Sequence, residues 1–162
     1  KKLKFDLNKF KKFKDKIHYI VVDKSPSNIM ELKDGESKKI RGNKLILNGM
    51  ARDYFQRENL SRGLTDAHDD DLILISDLDE IPNLDHLNFE KIRNKIIIFN
   101  QKIFYYKFNL LYPSLDWYGT KCCRYKDLKS VSWLRDIKPK KYKPFRLDVM
   151  FSKYKFIDLK II

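Results

Sequence analysis

Apolar residues in this chain gather into short β-branched runs and one longer stripe with helical spacing. Residues 17–23, IHYIVVD, predict a buried strand with His18 packed in it. Residues 24–41 hold Ser-Pro-Ser and Asp-Gly-Glu-Ser with little periodicity and predict a long loop. From 48 to 64 the pattern turns helical: Met50, Ala51, Tyr54 and Phe55 recur at one-turn spacing, and Leu60 and Leu64 extend the stripe. Arg52, Arg57 and Arg62 fall on its other faces. Residues 63–71 are a short connection into LILIS (72–76), the most strand-like run of the chain. KIIIFN (95–100) and IFYYKFN (103–109) predict two more strands, with one of Tyr105 and Tyr106 facing in and the other out. Residues 111–119, with Pro113, Trp117 and Gly119, read as a loop, 122–125 as a strand, 127–134 as a short helix or turn, and 156–162 as a last strand. A helix, a tight connection and an apolar strand ending in polar groups imply an α/β class with a mixed open sheet flanked by helices. In such sheets ligands sit beyond the carboxyl ends of the strands.

The polar end of LILIS runs on as SDLDEIP, which sets Asp77, Asp79 and Glu80 within four residues of an apolar strand. Carboxylates near a core are costly unless a cation or hydrogen bonds compensate them. If the strand continues, alternation puts Asp77 and Asp79 on one side of the backbone. Both could then face one Mg²⁺ or Mn²⁺, which takes one or two carboxylates and fills its other positions with water and substrate phosphates. Pro82 would stop the strand just beyond the acids. The competing reading is an acidic turn that caps a following helix, with Asp77 or Asp79 as N-cap.

The chain has 162 residues, 43% hydrophobic and 14% aromatic, which suits a single domain with a real core. Thirty-five Lys and Arg against 22 acids give a net charge of +13. That balance attracts anions, whether nucleic acid, a membrane surface or a phosphate-bearing small molecule, although scattered lysines also follow from compositional bias alone. Residues 1–16 interleave lysines with Phe5, Phe10 and Phe13 and read as one helical face or as a nucleic-acid arm. The adjacent Cys122 and Cys123 suit neither a disulfide nor zinc and fit a reducing compartment. No apolar run approaches the roughly 20 residues that span a bilayer. The chain, 1–162, reads as one partial domain lacking material at both ends.

ISDLDEIP, preceded about twenty residues earlier by FQRENLSRGL, resembles glycosyltransferase family 17. This is the family of the β-1,4-mannosyl-glycoprotein β-1,4-N-acetylglucosaminyltransferase. FYYKFNLLYPSLDWYGTKCCRYKDL and SVSWLRD fit the same pattern, so the resemblance spans roughly residues 15 to 160. Two parts of the family pattern are missing: the first strand of the nucleotide-binding sheet, and a Gly-Trp-His-Phe-Ser motif expected past Ile162. The resemblance implies an incomplete GT-A-like fold in which Asp77 and Asp79 hold Mn²⁺ or Mg²⁺ against the diphosphate of a UDP-sugar donor. It places Glu80 in support or in turn structure, and Arg57 and Asn59 where they could meet the acids or the donor.

The implied reaction moves a sugar, N-acetylglucosamine by the resemblance, to a glycan acceptor hydroxyl with inversion. Its metal acts as a Lewis acid and a carboxylate serves as general base. Asp116 beside Trp117 is the candidate base, with Asp136 and Asp148 as alternatives, and Trp117 and Tyr106 are candidate acceptor platforms. The resemblance points to a cytoplasmic microbial or viral relative, or to the Golgi lumen for an animal-type one. Two rivals stay open. One is metal-dependent phosphoryl or nucleotidyl transfer, with Asp69 to Asp71 as extra ligands; the other is a basic nucleic-acid-binding module, although no RNA-binding signature is present.

Overall fold

The computed structural model describes residues 6–85, 87–107, 109–139 and 158–162, and the chain divides into two compact units, 1–65 and 66–162. Phe5, His86, Phe108, Asp148 and the start of the strand expected over 156–162 lie outside the described residues.

The first unit opens with a 3-10 helix, Leu7–Lys16, whose N-cap Asp6 accepts a hydrogen bond from the Asn8 N–H. Residues 17–23 are not a strand: their backbone is irregular, Tyr19 and Val21 are half exposed, and His18 is exposed rather than packed. A β-branched run becomes a strand only when another strand pairs with it, and among the described residues this unit contains none. The expected loop is cut short by helix α1, Lys38–Glu58, which starts ten residues before the apolar stripe that announced it. Its start is set by Ser37, whose hydroxyl accepts from the Ile40 N–H at 3.3 Å, directly after a turn in which Gly35 takes φ +82°. Asn48, buried on α1, ties the preceding loop to the helix through two hydrogen bonds with the Met30 backbone, at 2.8 and 2.7 Å. A 3-10 turn, Asn59–Gly63, closes the unit.

The second unit is built on a four-stranded mixed sheet, which fits the α/β class. Its strands are β1 (Leu72–Ile75), β2 (Ile96–Ile98), β5 (Lys121–Arg124) and β6 (Leu159–Ile161), in the order β1-β5-β2-β6. β5 runs antiparallel to both neighbours, while β6 lies parallel to β2. Asp158 fixes that parallel edge by accepting from the Asn94 side chain and the Lys95 N–H. All three residues of β2 are buried because both faces of the sheet are covered. On one face Leu74, Cys122 and Ile97 stand in register and join Ile92, Phe99, Leu87 and Phe89. The other face carries Ile73, Ile75, Ile96, Ile98, Cys123 and Lys121, and helix α2 (Val131–Asp136) lies over it, with Val131 and Leu134 fully buried. Burial pushes both cysteine thiols up to about 12, so they act as core residues and stay protonated.

A separate hairpin pairs β3 (Gln101–Phe104) with β4 (Leu111–Trp117). This corrects two expectations: the Tyr-rich strand starts and ends earlier, and the expected loop over 111–119 is mostly strand. β4 was hidden because every one of its residues is exposed, which leaves no alternation to read. Tyr105 and Tyr106 both face out; Tyr105 packs edge-on against Tyr112 with ring centroids 5.4 Å apart. Tyr106 is 97% exposed and holds φ +60° in the turn. No helix among the described residues is long and apolar enough to cross a membrane.

Candidate functional site

β1 ends at Ile75, so the acids stand in a turn and not on a continuing strand. The Glu80 N–H donates to the Asp77 carbonyl at 3.1 Å, and this closure puts Leu78 and Asp79 at the two corner positions. Period-two alternation therefore does not place Asp77 and Asp79 on one side. Leu78 is fully exposed and Asp79 exposed, while Asp77 is half buried and Glu80 buried at 8%. Ser76 holds the base of the turn, with its hydroxyl 2.9 Å from the Glu80 carbonyl and 2.5 Å from Thr120 Oγ1.

The cation that compensates these acids comes from the chain itself. Arg135, on α2, donates to both carboxylate oxygens of Glu80, at 2.7 and 2.6 Å, and to Asp77 Oδ2 at 2.5 Å. It also bonds the Gly119 carbonyl. Glu80 accepts two further hydrogen bonds, from the Trp117 indole N–H at 2.8 Å and from the Asp77 N–H at 2.9 Å. Burial by itself would raise the Glu80 pKa; the bonds from Arg135, Asp77 and Trp117 outweigh it and hold the carboxyl below the usual glutamate value. Arg135 shows the converse balance: burial disfavours its charge, Glu80 and Asp77 favour it, and its pKa is raised. Gly119 packs so close that a Cβ there would overlap the Glu80 carboxylate and the Trp117 indole nitrogen. Beneath the cluster, buried Lys121 bonds the Arg135 carbonyl. Burial first, then the charges of Arg135 and Lys138, lower its pKa to about 8.

Both Glu80 carboxylate oxygens are engaged by protein donors, which ties it to the turn and, through Arg135, to Asp77. Asp79 offers an exposed carboxylate, and Asp77 is partly exposed beside it. One or two carboxylates suffice for Mg²⁺ or Mn²⁺ that keeps waters and phosphates; of the three acids Asp79 is the exposed one, while Arg135 takes one oxygen of Asp77 and both of Glu80. Among the described residues no group of three His, Cys, Asp or Glu side chains is placed to hold a metal ion. Asp69 to Asp71 precede β1, at the opposite end of the strand from Asp79, and Asp70 is paired with Lys126 at 2.6 Å.

Asp116 is exposed on β4, where it accepts from Asn100 Nδ2 at 3.2 Å and from the Tyr118 hydroxyl at 3.4 Å. Its neighbour Trp117 is 43% exposed, with the indole nitrogen tied inward to Glu80, so the candidate base sits one residue from the acidic cluster. Tyr106 lies in the hairpin turn at the other end of β4. In the first unit Arg57 forms an i,i+4 ion pair with Asp53 at 2.7 Å. Asn59 caps α1, donating to the Phe55 carbonyl at 2.8 Å. Arg135 is the residue that sequence reasoning missed, since SVSWLRD marks it only as part of a Leu-Arg pair. The signal that could have found it is the acid run itself, because a buried carboxylate demands a cation from somewhere in the chain. No family model, no curated protein and no solved structure matches this chain.

Proposed function

We propose that the chain carries a metal-dependent, inverting glycosyltransferase site that moves a sugar, N-acetylglucosamine by the family resemblance, from a UDP-sugar to a glycan hydroxyl. One observation carries this reading. The segments on which the resemblance to family 17 rests are far apart in sequence, yet SDLDEIP supplies Asp77 and Glu80, DWYGT supplies Trp117 and Gly119, and SVSWLRD supplies Arg135 to one hydrogen-bonded cluster. The mixed sheet, with its acidic turn past the carboxyl end of β1, supports the reading at the level of the α/β class, in which ligands sit beyond strand ends.

In this reading Glu80 and Arg135 hold the turn, and Asp79 with Asp77 holds Mn²⁺ or Mg²⁺. A bound divalent ion would offset the negative charge that develops on the departing UDP. Asp116 takes the proton from the acceptor hydroxyl, and the exposed faces of Trp117 and Tyr106 stack against sugar rings. Arg57, paired with Asp53, and Asn59, capping α1, keep the donor-side role that the resemblance implies.

Calorimetric titration of UDP-N-acetylglucosamine with and without Mn²⁺, into the wild-type chain and Asp79→Asn, tests the reading. Metal-dependent binding that weakens at least about tenfold in the variant is expected. A folded wild-type chain that takes up no nucleotide sugar with Mn²⁺ present would overturn it.

A further inference from the structure

The Lys-rich 3-10 helix Leu7–Lys16 belongs to the first unit, and its surface chemistry points to a different kind of contact. In the sequence LNKFKKFKDK five lysines (Lys9, Lys11, Lys12, Lys14 and Lys16) stand against one acid, Asp15. All six are exposed. Phe10 and Phe13 lie among them with 42% and 54% of their surface in water, although a phenyl ring is among the groups that water disfavours most. Each ring is flanked by lysines in the sequence, Phe10 by Lys9 and Lys11 and Phe13 by Lys12 and Lys14. The backbone departs from helical geometry at Phe10 without burying either ring.

We propose that this segment docks the chain on an anionic lipid surface, with Phe10 and Phe13 entering the headgroup boundary and the lysines meeting lipid phosphates and carboxylates. Two features favour a membrane over a nucleic acid. Phenylalanine carries no polar group and gains most where water is displaced by acyl chains. The segment also contains no arginine, the residue that makes bidentate contacts to bases and phosphates, whereas lysines near an anionic leaflet are attracted without any specific geometry. Charge complementarity is strong locally, since five lysines less one aspartate leave +4 over ten residues.

Flotation of the intact chain with vesicles tests this. One set is phosphatidylcholine alone, and the other contains phosphatidylserine as well. Binding is expected to the phosphatidylserine vesicles only, and it should fall as salt rises. Phe10→Ser with Phe13→Ser should weaken it roughly tenfold. Reversing Lys11, Lys12 and Lys14 to Glu should abolish it, each lysine being worth roughly fivefold. The same charge change placed elsewhere, at the exposed Lys91, Lys102 and Lys160, should leave most of the binding intact. Equal loss from the two triple variants would reduce the effect to overall charge and overturn the proposal. So would unchanged binding in the Phe variant, or a single-stranded oligonucleotide that displaces the chain from vesicles and itself depends on Lys11, Lys12 and Lys14. The substituted residues are exposed, and thermal melting of each variant confirms that it is folded. Failure here leaves the sugar-transfer reading untouched, because the two rest on different residues.

Discussion

Four hydrogen bonds from side chains and backbone converge on the Glu80 carboxylate, and three of Arg135's bonds end on carboxylates. A buried ion pair is weak evidence of net stabilisation, but removing one partner leaves the other as an uncompensated charge away from water. Arg135→Met should therefore cost about 3–5 kcal/mol at neutral pH, and Glu80→Gln about 1–3 kcal/mol, because an amide keeps one acceptor oxygen. The double variant should lose less than the sum, since each change removes the charge that makes the other costly. Urea denaturation checks all three, and a loss below about 1 kcal/mol in Arg135→Met would show that the pair bears no weight. The sign of the pH dependence follows from the lowered Glu80 pKa. Its contribution is complete above the unfolded glutamate pKa, about 4.3, and is lost as pH falls through the lower folded value. Wild type should thus lose stability in acid more steeply than Glu80→Gln.

At the scale of elements, the loop that links β4 to β5 is fixed by one close approach. Gly119 leaves room for the Glu80 carboxylate and the Trp117 indole, and it also lends its carbonyl to Arg135. Gly119→Ala should force the loop away from the cluster at a cost of about 1–3 kcal/mol. Trp117 fluorescence should shift in the same variant as the indole N–H loses its buried acceptor. An unshifted spectrum with wild-type stability would mean that the loop gives way freely. Legibility in the sequence tracks how each element is stabilised. β1 and β2 could be read because their residues are apolar, and β5 because the buried Cys122 and Cys123 stand at its centre. β4 could not, since a hairpin strand exposed along its length is held by backbone pairing, which leaves no mark in side-chain type. Residues 17–23 misled for the opposite reason: Val and Ile suit strands, but pairing needs a partner that the composition of the run does not supply. The start of α1 was written in Ser37, a cap overlooked beside the more prominent Asp-Gly turn. In the acidic site the need for compensation was visible. Its source was not, because Arg135 lies fifty-five residues from Glu80 and only the fold brings them together.

Across the whole molecule, burial is unevenly shared. Every hydrophobic residue of the buried core among the described residues, from Ile73 to Leu159, belongs to the unit 66–162, while the only buried residue described in the first unit is Asn48. α1 carries Ile40, Leu47, Met50 and Tyr54 half or more exposed, so its helicity draws on capping and local ion pairs, which stabilise an isolated helix only marginally. The second unit has both sheet faces covered, with α2 on one side and the Ile92–Phe99 cluster on the other. A chain of residues 66–162 alone should therefore unfold cooperatively in urea, keep Cys122 and Cys123 unreactive toward a thiol reagent until the transition, and retain the Glu80–Arg135 coupling. Residues 1–65 alone should show helix content that rises with trifluoroethanol and melts without a sharp transition. Thiol labelling beside circular dichroism decides the matter. If Cys122 and Cys123 in the isolated 66–162 chain react at once at neutral pH, the core does not stand without the first unit. Rapid labelling would then also imply that the Arg135–Glu80 cluster, set on that same sheet, depends on residues 1–65 for its geometry.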